Sequence, residues 1–168
     1  MLIDTRRNRI ASAGLALLLL LTAGMQAHAD FFGKGGKVDA ISTDELQALM
    51  TGDASGNGVV LVDVRTKEEI AVSIIPGAIS LTDFEESREQ YRNAEVITYC
   101  TVGVRSGDYA ATLIEDGMRA RNYEGSILEW VEQGLPVVTP EGQATQRVHV
   151  YSDKYRKRVS PPYEAVTR

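Results

Sequence analysis

Val96-Ile97-Thr98-Tyr99-Cys100-Thr101-Val102-Gly103-Val104-Arg105-Ser106 is the stretch on which the reading of the fold turns. Its first half is β-branched and aromatic, as a strand requires, and it stops at a cysteine. Residues 101–105 read as a loop, and a helix is expected from Ser106 to about Asp116. Tyr109, Ala110, Leu113 and Ile114 recur at three- and four-residue intervals and so share one face. Gly117 suits the left-handed turn that ends a helix.

The flanking sequence repeats this alternation. Val59–Val64 (VVLVDV) is apolar nearly throughout, as in a strand covered on both faces. Thr66 can cap a helix over Lys67–Ser73, with Glu69 completing a capping box. Pro76-Gly77 marks a turn before a short strand, Ala78–Leu81, and Glu85–Tyr91 reads as a polar surface helix. Upstream, Val38–Ile41 is a weak strand, Ser42 or Thr43 caps a helix to Met50, and 52–58 is a loop. Downstream, Arg119–Tyr123 is a strand and Ser126–Gln133 a helix that Gly134 ends. The pattern predicts an α/β domain with a mainly parallel central sheet and helices on both faces. Residues 140–168 fall outside it, and Arg147–Tyr151 is expected to add an edge strand.

Chemistry concentrates at Cys100, the one cysteine of the chain. In open α/β sheets, ligands bind beyond the carboxyl ends of the strands. A helix N-terminus there offers free N–H groups and a partial positive charge, which favour thiolate over thiol. Gly103 lets the loop turn its N–H groups inward. Arg105 is expected to bring a cation to the sulfur. The blander reading of Cys100 is a small buried hydrophobe, against which Gly103 and Arg105 argue. This activation needs no histidine. The two histidines, His28 and His149, lie near the ends of the chain, so a papain-like base is not expected. Asp63 and Arg65 are read as an ion pair near the base of the loop, structural before catalytic.

Residues 1–29 carry the pattern of a secretory signal peptide. Arg6, Arg7 and Arg9 precede an apolar run from Ile10 to about Met25, and Ala27 and Ala29 stand before Asp30. The run is shorter than the ~20 residues of a spanning helix. Export with cleavage, into a periplasm, is therefore expected ahead of a membrane anchor. Residues 30–37 read as a flexible lead-in, 38–139 as the domain and 140–168 as a basic C-terminal extension. The net charge is −5 and becomes more negative without the arginines of the signal, which argues against nucleic-acid binding. The extension carries Arg147, Lys154, Arg156, Lys157, Arg158 and Arg168. It is read first as packing on the acidic body, and second as a contact for a partner protein or an anionic membrane. A lone cysteine in an oxidising compartment can form no internal disulfide, so a reactive thiol is one of its explanations.

Cys100-Thr101-Val102-Gly103-Val104-Arg105-Ser106 resembles the active-site loop of the single-domain rhodanese family. Leu61-Val62-Asp63-Val64-Arg65 is similar to another signature of that family. So are Thr66-Lys67-Glu68-Glu69 with Ile75-Pro76-Gly77-Ala78, then Tyr123-Glu124-Gly125-Ser126, then Trp130 through Gly134-Leu135-Pro136-Val137. The pieces occur in the family's order over about residues 38–139. Where the family usually has Gly-His before Ile-Pro-Gly-Ala, this chain has Ser73-Ile74. The loop also lacks the extra basic residue that would help bind thiosulfate.

The resemblance implies a rhodanese-like fold and a ping-pong sulfurtransferase. Sulfane sulfur would pass through a Cys100 persulfide, from a small donor such as thiosulfate or a polysulfide to a thiol or cyanide. Cys100 and Arg105 would be the catalytic residues. Thr101, Val102, Gly103, Val104 and Ser106 would cradle the outer sulfur, with Asp63 and Arg65 in support. No cofactor or metal site is expected. Related phosphatases place five residues between Cys and Arg and a His before the Cys; here there are four, and Tyr99. The smaller cradle suits sulfur better than a tetrahedral phosphate. The competing expectation is a non-catalytic rhodanese-like module that carries sulfur or binds a partner.

Overall fold

The computed structural model describes residues 38–51 and 58–167. The expected signal and lead-in, and most of the loop at 52–58, lie outside the described residues. Five strands form the central sheet: β1 (Asp39–Ala40), β2 (Val59–Asp63), β3 (Ile79–Ser80), β4 (Glu95–Tyr99) and β5 (Arg119–Asn122). Their order is β1-β5-β4-β2-β3, and every pairing is parallel. Val59 lies opposite Glu95 and Asp63 opposite Tyr99, so the loops after β2 and β4 leave the sheet at the same end.

Both faces of the sheet are covered, which is why residues 60–63 and 96–99 are buried throughout, Asp63 and Thr98 among them. Leu61, Ile97 and Tyr99 pack with α1 (Thr43–Thr51) and α5 (Ser126–Glu132), through Leu46, Ile127 and Leu128. Val60, Val62 and Val96 pack on the other side with α3 (Leu81–Glu86) and α4 (Val104–Glu115), through Phe84, Ala110 and Leu113.

Four boundaries differ from the sequence reading. The helix capped by Thr66, α2, covers only Lys67–Ile70 instead of running to Ser73. The chain must extend there, because Ile74 bridges to Val138 and the Ser73 carbonyl accepts from Arg65 Nη2 at 2.6 Å. Helix α4 starts at Val104, two residues before Ser106, because Gly103 (φ 87°) turns the chain at once into the helix. Arg105 is thus a first-turn residue rather than a loop residue. Leu81 opens a helix instead of ending a strand, since Ser80 Oγ accepts from the Asp83 N–H at 3.1 Å; a 3-10 turn over Arg88–Tyr91 follows.

The fourth difference is the extension. After a small antiparallel pair, β6 (Val137–Val138) with β7 (Ala144–Thr145), strand β8 (Arg147–His149) pairs in parallel with β9 (Glu164–Val166). It does not join the edge of the main sheet. Val148 and Val150 are fully buried in the α1/α5 side of the core, and that burial draws the segment onto the domain's flank. Arg158 forks onto Glu132 with two 2.6 Å bonds, and Tyr163 Oη donates to the Leu135 carbonyl. Arg158 is thus paired with the body, and Arg156 with Asp153 of the extension itself.

Asp63 and Arg65 form a fully buried ion pair at the end of β2, 2.7 Å between Nη2 and Oδ2. Arg65 also reaches the Ser73 carbonyl, and its guanidinium lies 5.8 Å from the Tyr99 ring centroid. Arg65→Ala leaves Asp63 buried without its cation. The expected loss is about 3–5 kcal/mol of unfolding free energy. Urea denaturation measures it, and a loss near zero would show the pair to be dispensable.

Candidate active site

Cys100 follows β4 directly, and its side chain is 1% exposed. The Gly103 N–H donates to Sγ at 3.2 Å. Burial alone would push the thiol up. The Ser106 N–H and hydroxyl, with the Val102 and Gly103 N–H groups, outweigh burial and hold it below the ordinary thiol range. The cradle works because Gly103 adopts a left-handed backbone. A Cβ there would run into the Glu124 main chain, so no other residue fits.

A second layer fixes the cradle. Asn122, at the end of β5, accepts from Ser106 Oγ at 2.7 Å and donates to the Gly103 carbonyl at 2.9 Å. Ser106 Oγ is also 3.6 Å from Sγ. A hydroxyl has one proton, so Ser106 can donate to Asn122 or to the sulfur, one at a time. Ser126 accepts from the Cys100 N–H at 3.1 Å and donates to the Tyr123 carbonyl at 2.9 Å. Its 4.0 Å approach to Sγ is therefore contact without donation. Neither Asn122 nor Ser126 stood out in the sequence. Asn122 ends β5 and Ser126 opens α5 four residues on, and the β4–β5 pairing brings them to Cys100.

Arg105 lies beside this loop, but its charge is not free. Nη1 and Nη2 fork onto Glu69 at 2.7 and 2.8 Å, and Nη2 also donates to Thr101 Oγ1 at 3.1 Å. Thr101 in turn donates to Glu69 Oε1 at 3.1 Å. Arg105 thus anchors the loop to Glu69 while it also interacts with the Cys100 sulfur, and the Gly103 N–H adds the closest backbone dipole to the thiolate. Glu69 was legible only as a capping residue. It does cap Thr66, accepting its N–H at 2.9 Å, and the same carboxylate holds Arg105. Burial pushes Glu69 up, but Arg105 and the Thr66 N–H prevail and bring its pKa to about 2.

Of the remaining loop residues, Val102 packs against the core and Val104 points outward, 67% exposed. Asp63 and Arg65 sit behind Tyr99 as described. The extension also reaches the site. His149 Nδ1 accepts from the Tyr151 N–H at 3.2 Å and lies 3.8 Å from Glu69 Oε1. The Tyr151 ring centroid is 5.2 Å from the Arg105 guanidinium carbon.

A parallel α/β domain with a cysteine at a strand end, a backbone N–H on its sulfur and a helix starting beside it defines a class of strand-end cysteine domains. The Rhodanese-like domain family matches residues 42–133, and the chain belongs to that family. It is 39% identical over 109 residues to a sulfurtransferase of Allochromatium vinosum, covering 62% of this chain and 99% of that protein. It is 30% identical over 103 residues to YtwF of Bacillus subtilis, covering 60% of this chain and 97% of that one. The crystal structure of a Bacillus halodurans protein superposes with a TM-score of 0.52 at 24% identity, over 62% of this chain and 79% of that one, a likeness of fold.

Two outcomes follow from this geometry. The pH profile of Cys100 labelling by iodoacetamide should have its midpoint below the ~8.5 of a free thiol, and Ser106→Ala should raise it. The midpoint is the readout, because a 1% exposed sulfur limits the absolute rate. A wild-type midpoint at the free-thiol value would contradict the cradle. Second, the Glu69 carboxyl is depressed from 4.5 to about 2 on folding. It contributes stability above pH 4.5, on the order of 3 kcal/mol, that is lost as pH falls toward 2. In denaturant titrations, wild type and Glu69→Gln should differ at pH 6 and converge by pH 2.

Proposed function

We propose that the protein is a sulfurtransferase that carries sulfane sulfur as a persulfide on Cys100, working after export and removal of residues 1–29. The observation that carries this reading is a strand-end thiol met by the Gly103 N–H and approached by the Ser106 hydroxyl, inside a four-residue Cys-to-Arg loop. That space admits one more sulfur atom on Sγ more readily than a phosphoryl group. The A. vinosum sulfurtransferase, matched over nearly its whole length, supports sulfur transfer as the chemistry.

In the first half-reaction the Cys100 thiolate attacks the sulfane sulfur of a donor. A new S–S bond forms, the donor's own S–S bond breaks, and the leaving group departs with the electron pair: sulfite from thiosulfate, a thiolate from a hydropersulfide. The backbone N–H groups then face the negative outer sulfur. In the second half-reaction an acceptor nucleophile takes that sulfur and the Cys100 thiolate is restored. Cyanide gives thiocyanate. Splitting the transfer in two lets donor and acceptor use one site in turn. Arg105 keeps the loop closed around the sulfur through Glu69 and Thr101.

Intact mass spectrometry after incubation with thiosulfate, polysulfide or a hydropersulfide should show a gain of one sulfur atom. Cyanide should remove it, and Cys100→Ala should never acquire it. A wild-type mass unchanged by every donor would instead favour a non-catalytic binding module.

A further inference from the structure

Tyr151 is 60% exposed, and its position is not explained by core packing. Its φ is 62°, and the Ser152 N–H donates to the Val150 carbonyl at 2.6 Å across it. That makes it the centre of a γ-turn in the form that L side chains rarely adopt. Among the described residues the other non-glycine with positive φ is Ser126, which touches the sulfur. Both strained residues thus border one site, where strain of this kind is retained when something uses the side chain it positions.

What the γ-turn positions is an aromatic ring over Arg105, 5.2 Å from ring centroid to guanidinium carbon. The turn is held by the Tyr151 N–H on His149, whose ring rests against Glu69. Arg105 is then engaged along its edge by Glu69 and Thr101 and over one face by Tyr151. Glu69 offsets its charge. The neighbouring loop side chains, Thr101, Val102 and Val104, are uncharged. A dianion arriving at this mouth meets a buried carboxylate and a covered guanidinium. An uncharged or singly charged donor loses less by leaving water.

We propose that Tyr151, from the extension beyond the matched residues 42–133, determines donor specificity: it covers one face of Arg105 against dianionic donors such as thiosulfate and favours alkyl hydropersulfides, whose S–S–H group carries at most one negative charge. This rests on the sulfur-transfer reading above. The step is the one already balanced there: Cys100 thiolate attacks the outer sulfur of the hydropersulfide, the S–S bond of the donor breaks, and a thiolate leaves.

The test compares thiosulfate with tert-butyl hydropersulfide as donors to the full-length mature protein, with cyanide as acceptor, for wild type, Tyr151→Ala and Tyr151→Phe. Removing the ring should lower the thiosulfate KM about three- to tenfold, the range of a cation–aromatic contact, and shift the donor ratio of kcat/KM toward thiosulfate. Tyr151→Phe keeps the ring and should keep the wild-type ratio. An alanine variant with the wild-type ratio, or one that loses activity equally on both donors, overturns the assignment to Tyr151. A wild type that gains sulfur from neither donor overturns the sulfur-transfer reading and this inference with it.

Discussion

The Glu69–Arg105 ion pair is the contact on which the site depends. It joins α2 to the first turn of α4, and Thr101 is tied in by both partners. Glu69 is almost wholly buried while Arg105 is about one-third exposed, so the carboxylate needs its cation more than the reverse. The loop between Cys100 and Arg105 is clamped at both ends as a result: by β4 on one side and by this pair on the other. A clamped loop of that length has few ways to run, and the way it takes points its N–H groups at the sulfur.

The thiolate is stabilised by dipoles at close range, with Arg105 as the neighbouring ion. Oriented N–H groups at hydrogen-bond distance in a buried site are fixed by the fold and are little screened by salt. They also remain in place whatever the charge on the sulfur, and Arg105 is held beside them by Glu69. Ser106 adds the one adjustable element, a proton that can turn between Asn122 and Sγ.

Much of this was legible from local rules. Cys100 after a β-branched run, Gly103 where a left-handed residue is required, and the Thr66–Glu69 capping box are all short-range patterns, and the parallel alternation followed from them. Glu69's second role was not legible, because a capping glutamate and a loop-clamping glutamate look alike until the fold brings Arg105 to the same carboxylate. Asn122 and Ser126 stayed hidden for a related reason: their relation to Cys100 is set by β4–β5 pairing across more than twenty residues. The start of α4 was placed late because Ser106 resembles a cap, whereas Gly103 and the room left beside Glu124 decide where the helix begins. The extension lacked any periodicity, since β8 and β9 are three residues each and acquire meaning only by pairing with one another.

That last pairing has a consequence in time. Strand β8 carries His149 and leads into the γ-turn at Tyr151, yet its hydrogen-bonding partner, β9, follows it in the chain by about fifteen residues. Parallel strands cannot close through a tight hairpin, so β8 must wait for the intervening segment to emerge and fold back. Among the described residues, no strand of the central sheet pairs with it, although Val148 and Val150 pack into the core on one side of that sheet. The Tyr151 turn beside Arg105 is thus tied to the rest of the extension by β8–β9 and to the central sheet by no strand pairing, so the wall and the sulfur cradle belong to separate sheets.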